Sequence, residues 1–102
     1  MPNGACRLKL KWTKRALQQF RDAQEYIARD NPAAAGSVAG RIAQATRLLL
    51  TQPQMGRTGR VKGTREWVVM HTPYLLAYTV ENDTVLILRV IHSKQDWPQA
   101  FP

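Results

Sequence analysis

Two apolar runs joined by a two-residue turn constrain this chain more than any other feature. Tyr74–Val80 is nearly continuous in apolar residues, the pattern of a central strand covered on both faces. Thr84–Ile91 follows, with Val85, Leu86, Ile87, Leu88, Val90 and Ile91 around a single charge, Arg89. Asn82-Asp83 between them turns the chain. Upstream, Trp67–Met70 is a shorter apolar segment, ended by His71-Thr72-Pro73. The sequence therefore predicts a three-stranded antiparallel meander over residues 65–92, followed by a polar tail over 93–102.

The first half reads differently. Arg7-Leu8-Lys9-Leu10-Lys11-Trp12 alternates basic and apolar residues, which predicts a strand over 7–12 with one buried and one basic, solvated face. Such a face also guards an edge strand against aggregation. Thr13 is suited to cap a helix over 13–30, in which Leu17, Phe20, Ala23 or Gln24, and Ile27 recur at helical spacing. Asn31-Pro32 ends it, because the residue before proline avoids helical geometry. A second helix over 33–50 carries Val38, Ile42, Ala45 and Leu49 as its apolar stripe, and the two form a hairpin. Gly56–Arg65 contains three glycines and four cations and reads as a basic loop. The order is β-α-α-β-β-β: an α+β sandwich with the helix hairpin on one face of the sheet. At 102 residues the prior is one domain over 1–102, large enough to bury about 65% of its unfolded surface.

Charge narrows the partners. Fifteen Lys and Arg face seven Asp and Glu, a net charge of +8, and no acid occurs from Asn31 to Arg65. Ten of the fifteen are arginines, which suit bidentate contact with phosphate or carboxylate. The expected partner is a polyanion, either nucleic acid or an acidic protein. Cys6 is the single cysteine, and no Cys/His spacing suits a metal. No apolar stretch approaches 18 residues and no N-terminal apolar region marks a secretory leader, so a cytoplasmic protein away from membranes is expected. Gly56–Gly63 lacks the Gly-Lys-Ser/Thr ending of a phosphate-binding P-loop. No acids are paired for glycosidic chemistry.

The candidate functional residues are the cations Arg57, Arg60, Lys62, Arg65 and Arg89, together with His92. Arg89 must reach solvent or an anion. Either it pairs with Glu66 or Glu81 on a neighbouring strand, or it lies on an open sheet face and holds a phosphate. Arg89 and His92 have opposite parity, so a regular strand points them to opposite faces. His92 suits proton transfer or a backbone bond at a strand end. Trp97 suits either stacking on a base or anchoring the tail. Trp12 and Trp67 read as core.

Gly59-Arg60-Val61 with Gly63-Thr64-Arg65-Glu66, then Thr72-Pro73-Tyr74-Leu75-Leu76-Ala77-Tyr78, then Val85–His92 with Gln95-Asp96-Trp97-Pro98, resemble the RelE/ParE toxin superfamily in order and spacing. The match runs from Leu8 to Pro98. It implies the toxin half of a bacterial type II toxin–antitoxin pair, without a cofactor. The implied partner is an acidic antitoxin that folds on binding and alone contacts operator DNA.

The superfamily has two activities. RelE-like members are ribosome-dependent, metal-independent mRNA endonucleases, and Arg65, Arg89 and His92 occupy places where that branch carries functional residues. ParE-like members share the fold and poison DNA gyrase. The segment from Thr72 through Trp97 resembles that branch more, and no tyrosine follows Tyr78, where several nucleases keep one. Gyrase poisoning is the preferred expectation, mRNA cleavage the alternative, and an inactive nucleic-acid or protein binding module a third reading. Target or nucleic-acid contact is expected at Arg57, Arg60, Lys62 and Trp97. Antitoxin contact is expected at Lys9, Lys11, Leu17 and Phe20.

Overall fold

A computed structural model describes residues 8–93. Arg7 of the expected first strand, and the tail with Trp97, lie outside the described residues. The chain forms β1 (Lys9–Trp12), α1 (Lys14–Asp30), α2 (Pro32–Thr51), β2 (Arg57–Thr58), β3 (Arg65–Val68), β4 (Tyr74–Glu81) and β5 (Thr84–His92). The strands make one sheet in the order β1-β5-β4-β3-β2. β1 runs parallel to β5, and the other pairings are antiparallel. The α+β sandwich and the meander agree with the sequence reading. The two-residue strand β2, within the segment read as loop, is an addition.

Local chemistry sets the helix ends. Thr13 has extended backbone angles, and its hydroxyl accepts from the Ala16 N–H at 3.0 Å. The same hydroxyl donates to the Leu88 carbonyl at 3.1 Å, which ties the start of α1 to β5. Asn31 serves both helices. Its N–H donates to the Ile27 carbonyl at 2.9 Å, closing α1, and its Oδ1 accepts from Ala34 N–H at 3.1 Å, opening α2. α2 begins at Pro32 itself, because a first-turn position needs no N–H and suits the fixed φ of proline.

The core lies between the helices and one face of the sheet. Ala16 and Ala23 from α1 and Ile42, Ala45 and Leu49 from α2 pack on Leu76, Tyr78, Val85, Ile87 and Val90. Leu10 and Trp12, at the registers of Val85 and Ile87, join them. The opposite face carries a smaller cluster of Leu75, Ala77 and Ile91.

A β-bulge interrupts β5. Ala77 pairs with Arg89 and Tyr78 with Ile87, so Leu88 is an extra residue without an opposite number. Val85 and Ile87 face the helices before the bulge, and Val90 and His92 face them after it. A regular continuation would have put Arg89 in the helix-packed core. The bulge turns it to the other face, beside Ala77.

Candidate functional site

The basic loop is held by three buried or half-buried side chains. The Tyr78 hydroxyl donates to the Pro53 carbonyl at 2.8 Å and accepts from the Gly56 N–H at 3.0 Å. A side chain at Gly56 would collide with the Tyr78 ring and the Glu66 carbonyl, so the loop can close on Tyr78 only with glycine there. Arg65 donates from Nη1 to the carbonyls of Gly56 at 2.8 Å and Gln54 at 3.3 Å. Glu66, only 3% exposed, accepts from the Arg60 N–H at 2.9 Å and pairs with Arg57 Nη2 at 3.1 Å. Gly63, at φ +82°, takes the left-handed turn that completes the loop.

These contacts place the loop residues picked out in the sequence. Arg57, Arg60 and Lys62 are exposed on the loop and project basic surface. Arg65 directs Nη1 of its guanidinium at two loop carbonyls. Glu66, the acid set against Arg89 in the sequence reading, pairs with Arg57 and shares a sheet row with Arg89 across Ala77.

Arg89 is 8% exposed and donates to the Leu88 carbonyl at 3.1 Å. Burial, and secondarily the Arg15 cation nearby, lower its pKa from the ordinary arginine value. A guanidinium crowded by a second cation favours an anion between or beside them.

His92 sits across the sheet from Arg89. It pairs with Tyr74, and the two rings meet edge to face with centroids 5.3 Å apart. Both border a cleft of about 220 Å3 that α1 closes with Gln19, Asp22, Ala23 and Tyr26. Gln19 Oε1 accepts from the Val90 N–H at 2.9 Å, beyond the end of β1, and so fixes α1 to this part of the strand. Burial raises the pKa of the Tyr74 phenol, and the Tyr26 phenol adds to the shift. Sequence reasoning missed Asp22, Tyr26 and Tyr74 here. The first two have the spacing of an ordinary solvent face, and Tyr74 lies about fifty residues beyond them.

The residues assigned to antitoxin contact divide between two sides of the sheet. Lys9 and Lys11 project away from the helices, and Lys9 Nζ lies 3.9 Å from Asp83 Oδ2 at the surface. Phe20 packs on Trp12 on the helix side, at a centroid distance of 5.7 Å, and Leu17 is partly exposed on α1.

A larger apolar surface lies at the other sheet edge. Two adjoining hollows share Trp67 and Met70. One is bounded by Arg41, Gln44, Ala45 and Leu48, the other by Met55, Arg57, Glu66 and Val68. Val68 is 54% exposed and Met70 69%. Among the described residues, β2 pairs with Arg65 and Glu66 alone, so no strand pairs with Trp67 and Val68 on that edge of β3. No helix among the described residues is long and apolar enough to cross a membrane.

Residues 10–97 match the family described as the ParE toxin of the type II toxin–antitoxin system parDE. The chain is 43% identical to the toxin candidate Y4kP of Sinorhizobium fredii over 95 residues, covering 93% of this chain and 98% of that protein. It is 35% identical to Toxin RelE2 of Caulobacter vibrioides, covering 80% of this chain and 91% of that protein. A solved chain from the chromosomal ParDE system of P. aeruginosa shares the fold, with a TM-score of 0.77, 21% identity, and coverage of 85% and 97% of the two chains. The chain therefore belongs to the ParE toxin family of type II toxin–antitoxin systems, within the RelE/ParE superfamily. That family implies a cognate antitoxin as partner.

Proposed function

We propose that this toxin arrests bacterial growth by poisoning DNA gyrase and is neutralised by an acidic, ParD-like antitoxin. The observation that carries the choice of target is the scatter of Arg65, Arg89 and His92. Metal-free cleavage of RNA needs a cation and a proton-transfer group on one phosphate, held within hydrogen-bond reach. Arg65 is bonded to loop carbonyls, and Arg89 and His92 lie on opposite faces of β5. That arrangement favours action through surface contact with the target, in which the exposed loop cations Arg57, Arg60 and Lys62 take part together with Trp97 of the tail.

The antitoxin meets two surfaces in this reading. The exposed lysines of β1 draw in an acidic chain, which passes around the β1 edge to reach Leu17 and Phe20 on the helix side. The hollow around Leu48, Trp67, Val68 and Met70, rimmed by Arg41 and Arg57, accepts its apolar side chains. The ordering cost of a folding-on-binding partner is offset by apolar burial.

Purified protein, assayed in parallel for gyrase-linked DNA breaks and for ribosome-dependent mRNA cleavage, tests the target. DNA breaks alone support gyrase, and mRNA cuts alone overturn it.

A further inference from the structure

The cleft between α1 and the ends of β4 and β5 has a chemistry that neither the toxin family assignment nor the gyrase reading uses. One stripe of α1 carries Arg15, Gln19, Asp22, Tyr26 and Arg29, spaced 4, 3, 4 and 3 residues apart, so all five share a helix face. Gln19, Asp22 and Tyr26 line the cleft, opposite Tyr74, Val90 and His92. Tyr26 is 70% exposed, and Tyr74 is held edge-on to His92. A cation stands one helical turn beyond the cleft at each end.

Charge decides what fits. A protein of net charge +8 draws polyanions, yet the wall of this cleft presents the Asp22 carboxylate. A phosphate inside would be repelled, whereas a neutral group with N–H donors would be held. Gln19, whose Oε1 already accepts from the Val90 N–H, brings its Nε2 donors, and Asp22, whose Oδ1 accepts from Gln18 Nε2 at 2.9 Å, brings its second carboxylate oxygen as acceptor. About 220 Å3 accommodates a single flat ring system, and Tyr26 supplies an exposed aromatic face for it. Single-stranded nucleic acid has this combination of flat neutral groups on a chain of anions. Arg15 and Arg29 then lie where the flanking phosphates run.

We propose that this cleft is a nucleobase-binding site for single-stranded nucleic acid. Tyr26 is the stacking platform, Asp22 accepts from an exocyclic amine, and Arg15 and Arg29 contact the adjoining phosphates. The site stands apart from the gyrase reading, since it requires neither gyrase nor the ribosome.

The test is fluorescence anisotropy with short labelled homopolymers of RNA and of DNA, at low and high salt, with inorganic polyphosphate as competitor. The expected result is a preference for adenine or cytosine oligomers over uracil or thymine ones. Tyr26→Ala weakens binding roughly tenfold or more with an unchanged salt slope, while Tyr26→Phe retains it. Arg15→Gln reduces the salt slope and leaves the base preference in place. Comparing the RNA and DNA arms shows which strand is bound. Far-UV circular dichroism checks each variant, and the exposure of Tyr26 makes its replacement compatible with folding. Equal affinity of Tyr26→Ala and the parent for every oligomer overturns the proposal. So does equal competition by polyphosphate, which would reduce the interaction to charge. Growth arrest is scored separately. A toxic chain that fails here loses only the base site, and a chain that binds bases without arresting growth loses only the proposed growth arrest.

Discussion

Arg89 and His92 lie three residues apart on β5 and face opposite sides of the sheet. Arg89 sits beside Ala77 on the face away from the helices, and His92 sits beside Tyr74 in the α1 cleft. Their spacing of three alone sets them on opposite faces, and the extra residue Leu88 decides which face each takes. Deleting Leu88 leaves Ala77 opposite Arg89 and Tyr78 opposite Ile87, so the deletion variant is expected to fold with reduced stability. Exchanging the neighbours (Arg89→Val with Val90→Arg) places a guanidinium in the helix-packed core. A buried charge without a partner costs about 3–5 kcal/mol. Urea unfolding compares the two, and a tolerated exchange beside an unfolded deletion would refute this reading of the bulge.

The Tyr78 hydroxyl is the clasp of the basic loop. Tyr78→Phe leaves the Gly56 N–H and the Pro53 carbonyl without that partner, at a cost of about 1–3 kcal/mol. Hydrogen exchange at Gly56 should accelerate in the same variant. Unchanged stability together with unchanged exchange would show that the clasp is dispensable.

Alkaline pH adds a second readout. Burial raises the pKa of Tyr74 and Tyr78 above the ordinary value near 10. Their contribution is fully present below that value. Above it the unfolded chain releases phenolic protons while the folded chain retains them, so stability falls until the folded groups titrate. Denaturation midpoints should therefore drop above about pH 10. Tyr74→Phe with Tyr78→Phe should flatten the drop. An equally steep fall in the double variant would assign it to other groups.

Gly36 and Gly40 sit inside α2 with open space where a side chain would be. Alanine at each should stabilise the helix by about 0.5–1 kcal/mol. Thermal unfolding of the single and double variants measures this gain. A loss of stability would mean that the helix needs glycine at these positions for a reason its surroundings do not show.

Antitoxin affinity separates the two proposed partner surfaces. Lys9→Glu with Lys11→Glu should weaken binding and flatten its salt dependence, because exposed charges act at long range and are screened. Met70→Glu should weaken binding with little change in salt dependence, because it removes apolar contact. Titration calorimetry at two salt concentrations distinguishes them. Parent-like affinity in both variants would remove both surfaces.

Much of this architecture is legible in the sequence because local chemistry writes it. Thr13 and Asn31-Pro32 mark the helix boundaries through capping and backbone restriction, and the alternation of Lys9 to Trp12 gives β1 its two faces. The bulge is not legible. Inside Val85–Ile91 nearly every residue is apolar, so no alternation records a change of parity. Arg57–Thr58 is hidden for another reason: its strand depends on pairing with Arg65 and Glu66 across a glycine-rich turn. The roles of Tyr78 and Glu66 as loop holders are tertiary, and so is the cleft that joins Asp22 and Tyr26 to Tyr74 and His92. The parallel pairing of β1 with β5 joins the two ends of the chain, and no local pattern predicts it.

The most direct test of the target combines purified toxin with gyrase and supercoiled DNA in one reaction, and with ribosomes and mRNA in another. The expected result is gyrase trapped on cleaved DNA and intact mRNA, with gyrase trapping retained in His92→Ala. Codon-phased mRNA cuts on the ribosome, lost in both Arg89→Ala and His92→Ala, would contradict it.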